Sequence, residues 1–211
     1  MPQQRQAFQR ELDAIDAKVI DLFGLIVPDL AQATHALLSG TNEEAAEALA
    51  EHELVIALRG PEIEELAKRA ILLQAPVSSD LRFLLCVLRI VPELERSHHL
   101  VVQIASRASH MGREDLSPRS RELVAQIANL VTGRWHKAAG SWHQPSRAAA
   151  TVLAERDDQL EELHASLMAE LASGRMALPV AIKMTLVAPC YEHLGDHAVS
   201  ITRQAIYLER F

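Results

Sequence analysis

The sequence predicts an all-α chain of six long antiparallel helices, and three observations carry that expectation. The apolar share of 49 % is supplied largely by alanine and leucine, with only 4 % aromatics, which suits bundles whose small and γ-branched side chains interdigitate. Apolar positions recur at steps of three and four over long stretches. Glycine, proline and capping residues interrupt that pattern at helix-length intervals. A chain of 211 residues buries about two-thirds of its unfolded surface on folding, enough for a substantial core.

Taken in order, Phe8, Leu12, Ile15, Val19, Leu22, Ile26, Leu30 and Leu37 form one stripe of a first helix, which Pro28 should only bend. Ser39-Gly40 ends it, and Thr41-Asn42-Glu43-Glu44 offers a capping box for a second. That second helix should be interrupted at Gly60-Pro61, resume through Ile63, Leu66, Ala70 and Leu73, and stop before Pro76. Ser78-Ser79-Asp80 caps a third, running from about Leu81 to His110 with a kink expected at Pro92. Ser117-Pro118 sets a cap and a first-turn proline for a fourth, which continues towards Trp142. Gln144-Pro145 opens a fifth, bearing Leu153, Leu160, Leu163, Leu167 and Leu171 and ending at Ser173-Gly174. The sixth carries Val187, Tyr191, Leu194, Ala198, Ile201, Ala205 and Leu208. Short turns between such rods force antiparallel neighbours.

Charge and composition exclude several functions. A net charge of -7 has the wrong sign for a protein that neutralises nucleic-acid phosphates, so no nucleic acid is expected as partner. Cys86 and Cys190 sit in apolar surroundings without CxxC spacing and read as buried thiols of a reducing compartment. Met1-Pro2-Gln3-Gln4-Arg5 lacks a signal core and no apolar run approaches the roughly 18 residues of a membrane span, so the expected location is the cytoplasm. There is no GxxxxGK[ST], GxGxxG or GxSxG motif, and no visible nucleophile.

The halves look duplicated. Leu49-Ala50-Glu51-His52-Glu53 pairs with Leu153-Ala154-Glu155-Arg156-Asp157, and Glu95 through Ile104 pairs with Glu192 through Ile201. Two tandem three-helix bundles follow, over residues 1–112 and 113–211.

Glu192 and Asp196, and likewise Asp157 and Glu161, lie four residues apart, which stacks each pair of carboxylates on one helix face. Such spacing also describes an ordinary solvated surface. If the two pairs converge, their repulsion calls for a cation, and facing carboxylates on antiparallel helices are how bundles hold iron, manganese or zinc. The equivalent place in the first half holds Glu53, Glu95 and His99, whereas Ala57 stands where Glu161 would. His52 and His98 are substitutes there, although His98-His99 reads more readily as a solvated pair than as a zinc site. Trp135 and Trp142 should pack the end of the fourth helix, and Arg82 after Asp80 suits a helix-start salt bridge.

With Pro76-Val77-Ser78-Ser79-Asp80-Leu81-Arg82, then Glu93-Leu94-Glu95-Arg96, and again Glu192-His193-Leu194-Gly195-Asp196-His197-Ala198, the chain resembles the PhoU family, bacterial regulators of phosphate uptake. The resemblance spans nearly the whole length in the family's order, including Ile206-Tyr207-Leu208 near the end. It implies two tandem three-helix bundles and a homodimeric cytoplasmic adaptor that is not an enzyme. Such an adaptor links the phosphate ABC transporter to a phosphate-sensing histidine kinase, associates peripherally with those membrane proteins, and damps the starvation response. It also implies multinuclear iron or zinc on Asp157, Glu161, Glu192 and Asp196. In the first half Glu95 is kept, but His99 replaces the family's aspartate, Glu53 stands for aspartate and Ala57 offers no ligand. A cluster of the family type is therefore doubtful there, and Glu95 with His99 suits a mononuclear zinc-like site or no metal. A carboxylate-bridged metalloenzyme and a metal-free helical adaptor are the alternatives; the lack of Glu-x-x-His pairs weighs against the enzyme.

Overall fold

The computed structural model describes residues 2–40, 43–108, 111–145 and 157–209. Among these residues the architecture is all-α: α1 (Pro2–Ser39), α2 (Glu43–Gln74), α3 (Ser78–Ala108), α4 (Pro118–His143), α5 (Asp157–Ala172) and α6 (Leu178–Ala205), with short 3-10 turns at Arg113–Asp115 and Ile206–Glu209. The expected stripe of α1 is its buried face: Leu12, Ile15, Val19, Leu22, Ile26, Leu30 and Leu37 are all in the core, and Phe8 packs against it. At 38 residues α1 is about 57 Å long at 1.5 Å per residue. It packs against α2, α3 and α4; α5 packs against α4 and α6. α3 and α6 lie against each other, and they run antiparallel, because Cys86 meets Gln204, Ser97 meets His197 and Gln103 meets Cys190. One continuous buried cluster therefore joins the first three helices to the last three.

The turns follow their residues. Gly40 ends α1 with φ +76°, and a Cβ there would lie 2.6 Å from the Arg113 amide nitrogen, so only glycine lets this turn close against the Arg113–Asp115 turn. Ser117 accepts the amide of Ser120 as N-cap of α4, with Pro118 in the first turn as expected. Gly174, at φ +74°, follows α5. The α2–α3 turn is less ordinary: Ala75 and Ser78, flanking Pro76 and Val77, both adopt positive φ, of 43° and 54°. α3 begins at Ser78 itself, placing Asp80 in its first turn, where a carboxylate suits the helix dipole.

Two expectations need correction. Gly60-Pro61 does not interrupt α2, which runs unbroken from Glu43 to Gln74. Ala57 and Pro61 lie on the exposed side, so the carbonyl that loses its donor to proline faces water, where a long helix tolerates it best. His98-His99 is not a solvated pair: His98 is fully buried and only His99 faces solvent. The capping box at Thr41-Asn42 and the start of the fifth helix after Pro145 lie outside the described residues. The prolines at 92 and 189 sit inside α3 and α6 without ending them. Both cysteines are buried and free, and burial pushes the Cys86 thiol up to about 12. No helix among the described residues is long and apolar enough to cross a membrane.

Candidate metal centre

In the first half, α2 and α3 present Glu53 and His99 to one another, with His99 Nδ1 2.6 Å from Glu53 Oε1 at the surface. Glu95, four residues before His99, turns towards Gly60 of α2. A Cβ at Gly60 would fall 1.5 Å from Glu95 Oε1, so the glycine makes room for the carboxyl. That oxygen is buried and unpartnered. Burial, and secondarily the charge of Glu64, raises the Glu95 pKa, with Arg96 opposing.

In the second half, Glu192 of α6 faces His164 of α5, with His164 Nδ1 3.1 Å from Glu192 Oε2. The other nitrogen of His164, Nε2, is buried and unpartnered. Gly195 lets α5 and α4 approach α6: a Cβ there would meet the Leu160 side chain at 2.7 Å and Arg134 Nη1 at 3.1 Å. Glu161 and Asp196 are exposed. Asp157 begins α5, but its side chain lies outside the description.

A third group was not anticipated as a unit. Asp29 of α1, His52 of α2 and His98 of α3 converge, with the Asp29 carboxylate 2.9 Å from His52 Nδ1 and 2.8 Å from His98 Nε2. It forms the one set of three metal-ligating side chains found among the described residues with all donor atoms within 4.8 Å of one another. Helical periodicity held a signal for both missed groups. Asp29 is three residues after Ile26 and four before Ala33, and His164 is four after Leu160 and three before Leu167. Each is a polar residue on an otherwise apolar stripe.

Between α3 and α6 an open pocket of about 420 Å³ is lined by Glu95, Arg96, His99, Leu100, His193 and His197. His197 Nδ1 lies 2.9 Å from Ser97 Oγ, and its Nε2 lies 3.7 Å from Glu93 Oε1. Burial lowers the pKa of His197; Glu93 and Asp196 oppose this, while Arg96 and His193 reinforce it. A depressed value means that the folded state favours the neutral ring. Its contribution to stability is present above the ordinary histidine value and is lost as pH falls through the folded value. Denaturant titrations at pH 7.5 and 5.5 should show this loss in the wild type and a smaller one in His197→Gln. The difference should stay below about 1 kcal/mol, because water still screens the ring.

Comparisons with known proteins agree with this architecture. Residues 20–108 match the family model described as the PhoU domain. The chain is 28 % identical over 210 residues to the phosphate-specific transport system accessory protein PhoU homolog 1 of Mycobacterium leprae, covering 96 % of this chain and 92 % of that protein. It is 26 % identical to the PhoU homolog of Pseudomonas putida, covering 97 % of this chain and 81 % of the relative. The crystal structure of PhoU from Pseudomonas aeruginosa superposes with a TM-score of 0.88 at 24 % identity, over 96 % of this chain and 99 % of that one. The phosphate transport system regulatory protein PhoU from Streptococcus pneumoniae gives 0.84 at 22 % identity, over 96 % of each chain.

Proposed function

Because the chain belongs to the PhoU family, we propose that it is a cytoplasmic accessory protein of phosphate transport that represses the phosphate-starvation response when phosphate is plentiful. It is a regulatory accessory protein and not an enzyme. The observation that carries the reading is similarity along 96 % of the chain to a protein named as an accessory protein of the phosphate-specific transport system. In this reading it bridges the phosphate ABC transporter and a phosphate-sensing histidine kinase, and it works as a homodimer. Residues 1–112 and 113–211 are two copies of one three-helix unit. Exposed Leu178, Ile182 and Leu186, spaced four apart on α6, give it an apolar strip of the kind that adaptors offer to partners.

Iron or zinc belongs to the proposal too. The Glu192 carboxylate suits it, because it lies beside the imidazole of His164, whose Nε2 is buried and unpartnered, an oxygen and nitrogen pair of the kind these metals take. Asp157, Glu161, Glu192 and Asp196 would hold the ions, with His164 positioning Glu192. In the first half Glu95, with its unpartnered oxygen, would join Glu53 and His99. Bound metal would offset the repulsion between carboxylates and tie neighbouring helices together.

Deleting the gene should raise alkaline phosphatase several-fold in phosphate-replete cells, and the wild-type gene should restore repression. Complementation with Glu192→Ala/Asp196→Ala, its fold checked by circular dichroism, reads whether the acidic pair is required. Unchanged phosphatase in the deletion strain would overturn the regulatory reading.

A further inference from the structure

We propose that Asp29, His52 and His98 form a binding site for a single divalent transition-metal ion, zinc by donor chemistry, separate from the acidic pairs of α5 and α6. The three side chains come from three different helices. Asp29 is 2 % exposed and His98 0 %, and both ion pairs of Asp29 are to imidazoles. A carboxylate drawn out of water, as Asp29 is, is costly unless its charge is compensated. A cation among the three donors removes that charge.

The geometry needs little change. Around a tetrahedral zinc with bonds of about 2.0 Å, neighbouring donor atoms lie about 3.3 Å apart. Here Asp29 Oδ2 lies 2.8 Å from His98 Nε2 and 2.9 Å from His52 Nδ1, so the ring nitrogens need to withdraw by roughly half an ångström as the metal replaces the shared protons. The His52 side chain is 42 % exposed, which gives the ion a way in from solvent and leaves a fourth position for water or an incoming ligand. His98 adds an independent sign. Its Nδ1 is buried and unpartnered, so the ring is anchored through Nε2 alone, and a bond stronger than a neutral hydrogen bond at Nε2 offsets the orphaned nitrogen. In the register that pairs Glu95 with Glu192, the position of His98 is Gly195 in the second half, against which Arg134 lies. The second half thus places a cation against its third helix where the first half places an anion and two imidazoles.

The test uses untagged full-length protein stripped with chelator, then dialysed against zinc, with bound metal measured by elemental analysis. Glu192→Gln/Asp196→Asn and Glu53→Gln backgrounds remove contributions from the other candidate ligands. The expected result is one zinc per chain retained in those backgrounds and lost in both Asp29→Asn and His52→Gln. Cobalt in place of zinc should show intense visible bands of four-coordinate geometry, absent in the same two variants. With free zinc at about a hundred times the dissociation constant, the wild-type Tm should rise by roughly 5–10 °C, and that of His52→Gln should not move. His52 is half exposed, so its replacement keeps the test valid if Asp29→Asn fails to fold. No zinc uptake in these backgrounds overturns the proposal, as does uptake unchanged in His52→Gln. Parallel anaerobic dialysis against iron(II) separates the metals: the same donor set suits iron(II), and uptake of iron without zinc overturns the zinc assignment.

Discussion

Trp135→Ala should destabilise the protein by about 3–5 kcal/mol, the range for removing a large aromatic from a close-packed core. Trp135 is 1 % exposed and its indole N–H donates to the carbonyl of Leu194 at 3.0 Å, so the ring both fills the α4–α6 contact and fixes its rotation. Loss of the ring leaves a cavity that long, mutually packed helices collapse into poorly. Thermal unfolding should show a Tm lowered by about 6–20 °C. Trp135→Phe should cost clearly less, because most of the volume stays and only the hydrogen bond and the second ring are lost. Equal costs for the two substitutions would locate the effect in the hydrogen bond instead of the packing. Trp142 is the contrasting case: it also hydrogen-bonds, to Asp16 at 2.8 Å, but it sits near the end of α4 between Phe23 and Phe83.

The second large effect is expected at Asp29. Asp29→Ala, measured with chelator present, should cost about 2–4 kcal/mol, because it strands the fully buried His98 with no partner on either nitrogen. Substituting both residues, as Asp29→Leu/His98→Leu, should cost less than the two single changes together, since it removes the stranded polar group and refills the volume with apolar atoms. A double-mutant cycle with coupling of about 1–3 kcal/mol is the expected reading in urea unfolding. Additive costs would mean that the two side chains contribute separately and that the buried pair is not a unit.

Helical order was legible because it is local. The three-and-four spacing from Leu12 to Leu37 settles which face of α1 is buried, and a serine before a proline settles the start of α4, as their burial and capping show. The Gly60-Pro61 pair misled because its effect on α2 is not local. Gly60 gives room to Glu95, from another helix, and Pro61 lies on the wet side where its missing donor matters least. The pairing of His98 with Asp29 was illegible for the same reason, since the residues are 69 positions apart.

What this chain's sequence determined alone is the set of rods, their apolar faces, most of their punctuation and the family resemblance, since each depends on neighbours within a few turns of helix. The tertiary structure decided which carboxylate meets which imidazole: His99 with Glu53, His164 with Glu192, and His98 and His52 with Asp29. Periodicity specifies a face but not the axial offset and rotation between two packed helices. A shift of one turn, about 5.4 Å, exchanges every partner, and only side-chain packing across the whole bundle selects one registration.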